Sequence, residues 1–213
     1  MDLPFKVREL HPDETRTFLE VHHAAISATA AADYPAEVIE AWSPLPITDA
    51  FVQHVRNSHE GEIRLAASLD GEIIGIGALV PQNHELRACY VSPEHGRLGA
   101  GPALVEAIEH IAQQRGLTYL AMDSSITAER FYLRLGYKVV GRGEHTLRGG
   151  VRMSCTMMRK DFLFTALAPL EADLLNVSEG SSLCGRLHPF AATSVNDRCL
   201  LILFSNGGPQ QQK

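Results

Sequence analysis

"VSPEHGRLGAGPALVEAIEHI", residues 91–111, places three glycines within six positions and then runs straight into a helix-like pattern. Gly96, Gly99 and Gly101 precede Leu104, Ile108, Ile111 and Ala112, which recur at helical spacing as far as Arg115, with Gly116 as the stop. The residues alone allow two readings. One is a tight strand-to-helix turn with no ligand. The other is a row of backbone amides presented to an anion. A helix N-terminus leaves its first N–H groups unpaired and carries about half a positive charge. A phosphate answers both needs if no β-carbon keeps it away. On that reading Gly99 and Gly101 clear the approach, and Pro102 costs little because a first-turn residue has no intrahelical partner for its N–H.

The flanks supply the surrounding elements. "HPDETRTFLEVHHAAISATAA" sets Pro12, Asp13 and Glu14 at a helix start and Phe18, Val21 and Ile26 in an apolar stripe, which predicts a helix over 13–27. "DYPAEVIEAWSP" predicts a shorter helix from Pro35 to near Trp42, and "TDAFVQHVRNSHEG" a third that ends before Gly61. The period then changes. "IRLAASLDGEIIGIGALV" reads as two strands joined by the two-residue turn Asp70-Gly71. "ELRACYV" is a strand ending at Val91, "LTYLAMD" a strand, "TAERFYLRLGY" a short helix closed by Gly136, and "KVVG" and "RMSCTMMR" the last two strands. That order makes a mixed α/β sheet, neither a sandwich nor a regular doubly wound fold.

Composition narrows the functions. A net charge of −6 argues against nucleic acid as the main partner, since phosphate backbones call for a basic footprint. No run approaches the ~18 apolar residues of a membrane span, and "MDLPFKVREL" has neither the basic nor the apolar part of a secretion signal. The four cysteines, Cys89, Cys155, Cys184 and Cys199, show no CxxC spacing and read as reduced thiols of a cytoplasmic protein without a metal site. From Asp161 the chain loses its regular pattern and ends in "SNGGPQQQK". Residues 161–213 are therefore expected to be an extension that packs onto the main domain or stays loose.

Three phosphate-cradling loops compete for the glycine stretch. A P-loop needs Lys and Ser or Thr after its last glycine, where Pro102 and Ala103 stand. A dinucleotide fingerprint gains from Asp123 near the end of the next strand, but the order of the glycines is reversed. The third fits better. Val91, Pro93, Gly99 and Gly101, followed by Ala103-Leu104, resemble the acyl-CoA-binding motif of the GNAT superfamily of N-acetyltransferases. One departure is plain: Gly96, followed by Arg97, holds the place where Gln or Arg is usual. "SSITAERFYLRLGYKVVG" carries a second GNAT pattern in Ala128, Phe131, Tyr132, Gly136 and Tyr137, with Ser125 where Asn is common. The pair is similar to the bacterial small-molecule branch of the superfamily. The resemblance spans residues 5 to 160, and 1–160 are taken as one acetyltransferase domain.

The resemblance implies an α/β (α+β) GNAT fold: a mixed, mostly antiparallel central sheet, helices on both faces, and splayed strands around an acyl-CoA cleft. It implies acetyl-CoA as acyl donor, no metal, and direct attack by an amine in a ternary complex. Tyr90, Val91, the loop residues Gly96, Arg97, Leu98, Gly99, Ala100 and Gly101, and Ser125 and Tyr132 are the implied cofactor-binding residues. Ser125 is equally suited to capping its helix. Tyr132 is the expected acid that protonates the departing thiolate, since a phenol can donate to a thiolate at suitable geometry; its other reading is a core aromatic beside Phe131. The backbone of Cys89, Tyr90 and Val91 is expected to hold the oxyanion and pair with pantetheine.

Glu85 is the first candidate for the proton acceptor. It shares strand alternation with Arg87 and Val91, which would turn it toward the cleft; its other reading is a solvated charge at the strand start. His22, His23 and His84 are weaker candidates. Tyr34 and Trp42 belong to the region that shapes the acceptor pocket in such proteins, and are equally suited to packing against the sheet. The acceptor is expected to be a small-molecule amine, with a protein amine as the alternative and a non-catalytic acyl-CoA sensor as the rival from another class. Many members of the superfamily dimerise, so a homodimer is among the implied partners.

Overall fold

The computed structural model describes residues 3–58 and 61–162, so the expectation for the extension lies, apart from Asp161 and Phe162, outside the described residues. Seven strands form one sheet: β1 (Lys6–Glu9), β2 (Ile63–Leu69), β3 (Glu72–Val80), β4 (Glu85–Val91), β5 (Tyr119–Ser125), β6 (Lys138–Thr146) and β7 (Arg152–Asp161), in the order β1-β2-β3-β4-β5-β7-β6. Every neighbouring pair is antiparallel except β4 with β5. The expected mixed, mostly antiparallel sheet is present.

Asp70 and Gly71 both take positive φ, 50° and 89°, as a type I′ turn demands, and Leu69 pairs with Glu72 across it. Helices cover both faces. α4 (Ala100–Gln114) buries Leu104, Val105, Ile108 and Ala112, one face of a 3.6-residue repeat, in a core that includes Leu79, Leu86, Leu120 and Met158. α1 (Thr15–Thr29), α2 (Ala36–Trp42) and α3 (Asp49–Asn57) fill the other face with Phe18, Ile26, Trp42 and Val55 against Ala66 and Ile76. α5 (Glu129–Arg134) ends at Gly136, whose φ of 88° lets the Tyr137 N–H turn back to the Tyr132 carbonyl.

Three elements differ from expectation. β1 is a strand that nothing in its four residues advertises; it is an edge strand with little buried. α1 begins at Thr15 rather than Asp13, because Pro12–Glu14 form a separate 3₁₀ turn boxed by His11 and Glu14. β6 runs to Thr146, far beyond "KVVG", with a bulge at Val139/Gly141.

Candidate active site

β4 and β5 run parallel but share one paired position, Glu85 opposite Ala121, with the Ala121 N–H donating to His84 at 2.8 Å. Beyond it the two strands separate. The gap is a cleft walled by Arg87, Cys89 and Tyr90 from β4, Asp123, Ser124 and Ser125 from β5, Tyr132 from α5, His145 from β6, Met153 from β7 and Trp42 from α2. One cause of the divergence lies within β4. Ala78 pairs with Ala88 but Leu79 pairs with Leu86, so Arg87 is an extra residue and the strand bulges there.

That bulge corrects the alternation predicted for Glu85. Leu86 before the bulge and Cys89 and Val91 after it lie on the α4 face, while Tyr90 packs toward α1 and α2. Glu85 therefore does not share a face with Val91. Its buried carboxylate accepts from Arg87 at 2.9 and 3.3 Å, Arg87 also donates to Glu62 at 3.1 Å, and Glu62 accepts from Arg64 at 2.6 Å. Glu85 sits behind the lining rather than in it.

At one end of the cleft the chain leaves β4, makes a 3₁₀ turn over Pro93–His95, and enters α4 through Gly96, Arg97, Leu98 and Gly99. Gly96, Arg97 and Leu98 are exposed, and no side chain caps the helix. Arg97 and Gly99 both take positive φ, 68° and 88°. Such a turn exposes successive amides ahead of a fifteen-residue helix, which suits an anion. The two glycines divide the work differently from expectation. A β-carbon on Gly99 would meet nothing within 4 Å, so this glycine serves its backbone conformation. A β-carbon on Gly101 would stand 3.3 Å from the Phe131 ring, so this one makes room for α5 rather than for a phosphate.

The family model for the Acetyltransferase (GNAT) family matches residues 23–137, over half of the chain. The chain belongs to the GNAT family. Its fold is similar to that of a GCN5-related N-acetyltransferase from Rhodopseudomonas palustris, at 26% identity and TM-score 0.67 over 74% of this chain and 96% of that one. PaiA N-acetyltransferase from Thermoplasma acidophilum, solved in complex with coenzyme A, shares the fold at 21% identity and TM-score 0.57, covering 76% and 100% of the two chains. A ribosomal-protein-alanine N-acetyltransferase from Brucella melitensis does so at 15% identity and TM-score 0.54, covering 74% and 99%. No curated protein matches the sequence. This GNAT protein is an acetyl-CoA-dependent N-acetyltransferase.

Of the other residues singled out in the sequence, Tyr132, Ser125 and Trp42 line the cleft, whereas Tyr34 and Val91 do not. Tyr132 lines it and is nearly buried, its ring 4.9 Å from Phe131 and 5.6 Å from Tyr137. Ser125 lines it too, and its Oγ accepts from the Ala128 N–H at 3.2 Å at the approach to α5. Trp42 closes one wall, edge-on to Tyr90 at 6.4 Å. Tyr34 is not in the lining: its hydroxyl donates to Ser154 at 2.7 Å and accepts from the Ile126 N–H at 2.8 Å, pinning α5's approach to β7. Val91 lies outside the lining as well, packed into the α4 core. Cys89 lines the cleft, but its thiol donates to the Gly101 carbonyl of α4 at 3.7 Å and burial pushes it up to about 12, so it stays protonated and is no nucleophile.

Among the histidines, His22 is buried edge-on to Tyr90 at 4.6 Å, His23 contacts Ser43 and His84 stacks on Tyr119 at 4.4 Å. None of the three lines the cleft. Two other groups do. Burial raises the Asp123 carboxyl, opposed by nearby His145; burial lowers the His145 imidazole, opposed by Asp123 and Glu85. His145 gave no signal in "GRGEHTLRGG", where glycines and charges hide a strand; only its register opposite Met153 brings it to the cleft. Among the described residues no group of three or more potential metal ligands occurs, and no helix is long and apolar enough to cross a membrane.

Proposed function

We propose that the enzyme transfers acetyl from acetyl-CoA to the primary amine of a small molecule by direct attack in a ternary complex. The observation that carries this is the cleft between splayed β4 and β5, with the uncapped amides of α4 at one mouth and Tyr132 inside. The pyrophosphate of the donor lies on the amides of Gly96 to Gly101, with Arg97 free to reach it. Its pantetheine arm pairs with the bare β4 edge at Cys89, Tyr90 and Val91 as an added strand. A β4 amide then polarises the thioester carbonyl. As the amine's C–N bond forms and the C–S bond breaks, Tyr132 gives its proton to the leaving sulfur. A protonated Cys89 supports the absence of an acyl-enzyme.

The net charge of −6 and the carboxylate of Asp123 in the lining favour a cationic acceptor, and the aromatic walls Trp42 and Tyr90 favour one with apolar bulk. The unpaired thiols Cys89 and Cys155 support a cytoplasmic setting. The test is thiol release from acetyl-CoA with a panel of amino sugars, amino acids, polyamines, aromatic amines and peptide N-termini, each identified as acetylated product by mass. Turnover of a small amine that exceeds that of every peptide supports the proposal. Peptide preference moves the acceptor to protein, and tight CoA binding with no accelerated amine leaves a binding module.

A further inference from the structure

The cleft holds a Tyr to protonate sulfur but leaves open which group relieves the amine of its proton. A primary amine arrives largely as ammonium, with a pKa near 10, and an N–H proton must leave as the C–N bond forms. The titratable side chains that face or flank the lining come from every surrounding element: Glu85, Arg87, Cys89 and Tyr90 on β4, Asp123 on β5, Tyr132 on α5, His145 on β6 and Cys155 on β7. Most are committed. Arg87 is held by Glu85 and Glu62, and Glu85 is held by Arg87. Cys89 and Cys155 are protonated, pushed up by burial to about 12 and about 11.

We propose that His145, steadied by Asp123, accepts the proton of the attacking amine across the cleft from β4. This deepens the acetyl-transfer reading and rests on it. His145 lines the cleft and is 7% exposed, yet its Nε2 has no hydrogen-bond partner among the described residues. A buried, unpaired ring nitrogen is costly to the fold alone and is what a proton acceptor awaiting an amine looks like. Burial keeps the imidazole neutral at neutral pH, so it is in the form able to accept. The carboxylates of Asp123 and Glu85 then stabilise the imidazolium that forms. The step balances once the ammonium has given one proton to solvent: the neutral amine attacks, nitrogen loses its second proton to His145, the C–S electron pair leaves with sulfur, and sulfur gains one proton from Tyr132. The imidazolium's proton returns the tyrosinate to phenol directly or through solvent.

The experiment uses the full chain with the best amine from the panel, acetyl-CoA saturating, and kcat and KM recorded across pH 5.5–9.5 for wild type, His145→Gln, His145→Ala and Asp123→Asn. For His145→Gln, kcat falls about 100- to 1,000-fold, in line with loss of a general base, while KM for acetyl-CoA changes less than threefold. The acid limb of the wild-type profile disappears in that variant, and added imidazole restores part of the rate of His145→Ala. Asp123→Asn, which removes the charge that raises the imidazole, moves the acid limb to lower pH. A His145→Gln enzyme within threefold of wild type with the same acid limb overturns the assignment, as does an Asp123→Asn limb that does not move. Circular dichroism and CoA calorimetry report folding of each variant. If His145→Gln unfolds, the Asp123→Asn shift and imidazole rescue decide. A wild-type protein that acetylates no amine is a different outcome: it removes the acetyl-transfer reading, and this inference with it.

Discussion

Phe131 lies against the bare Cα of Gly101, with two of its ring carbons 3.3 Å from where a β-carbon would stand. The glycine belongs to the first turn of α4 and the phenylalanine to α5, so the two sequence motifs of the family meet here. Gly101→Ala would press a methyl group into Phe131 and, from the other side, toward Val91 at 3.7 Å. Overpacking of that kind costs about 1–3 kcal/mol. Because Tyr132 follows Phe131, the strain reaches the cleft. The expected outcome is a lower urea midpoint together with a several-fold drop in kcat. Unchanged stability and rate would show that the ring swings aside freely.

Gly99→Ala separates the other role. Its φ of 88° is strained for any residue with a β-carbon, while nothing lies within 4 Å of that carbon. The expected loss is about 1–2 kcal/mol from the left-handed backbone, with a raised KM for acetyl-CoA as the loop amides reorient. Paired with Gly101→Ala, this variant should weaken donor binding more and the chemical step less. Calorimetry with CoA and steady-state kinetics read the two.

How much of this was legible in the sequence follows from which features are local. Asp70-Gly71, Gly99 and Gly136 announce their turns because positive φ is a property of single residues, and α4 shows its apolar repeat within one stretch. The β4 bulge is not local. "ELRACYV" alternates like any strand, and only the pairing of Ala78 with Ala88 and Leu79 with Leu86 makes Arg87 the extra residue. Simple alternation therefore put Glu85 on the face of Val91, from which the bulge separates it. His145 was hidden for a different reason: β6 pairs with β7, its neighbour along the chain, but the glycines and charges around His145 do not read as strand. Tyr34 carried a correct signal of burial and an unforeseen role, since its two hydrogen-bond partners lie far along the chain.

Tyr34→Phe tests that role. Removing the hydroxyl takes from the Ser154 carbonyl and the Ile126 N–H the partner they share, a loss of about 0.5–1.5 kcal/mol for part-buried hydrogen bonds. Thermal unfolding should fall accordingly, while KM for the amine stays within about twofold, since the ring is outside the cleft lining. A large rise in that KM at unchanged stability would return Tyr34 to the acceptor pocket.

Arg87 holds two buried carboxylates, Glu85 and Glu62. Arg87→Met keeps the length of the side chain and takes the guanidinium away from Glu85, while Glu62 keeps Arg64. Breaking a buried pair from one side costs about 3–5 kcal/mol, so this variant should be among the least stable single substitutions in the sheet. Adding Glu85→Gln should recover part of that loss, because one uncompensated charge disappears. Urea midpoints of the two single variants and the double variant measure the coupling.

His22 predicts how the fold responds to acid. Burial, aided by the neighbouring His23, pulls its imidazole down to about 3, whereas an unfolded histidine titrates near 6.5. Between those values the unfolded chain binds a proton that the folded chain refuses, so acidification favours unfolding. The stability His22 allows is therefore whole above about pH 6.5 and drains away as pH falls toward 3, at a limiting slope of about 1.4 kcal/mol per pH unit. His145, also lowered by burial, adds in the same direction. Glu14, held down to about 2 first by its hydrogen bond to Arg8, keeps its contribution until pH falls into the ordinary carboxylate range and loses it from there toward 2. The window from pH 6.5 to 5 thus isolates the histidines. His22→Phe keeps a ring edge-on to Tyr90 and removes the proton site. Its urea midpoint should fall less steeply across that window than the wild-type midpoint, by close to one proton's worth of slope. Parallel curves for the two proteins would mean that the His22 ring reaches water in the native state.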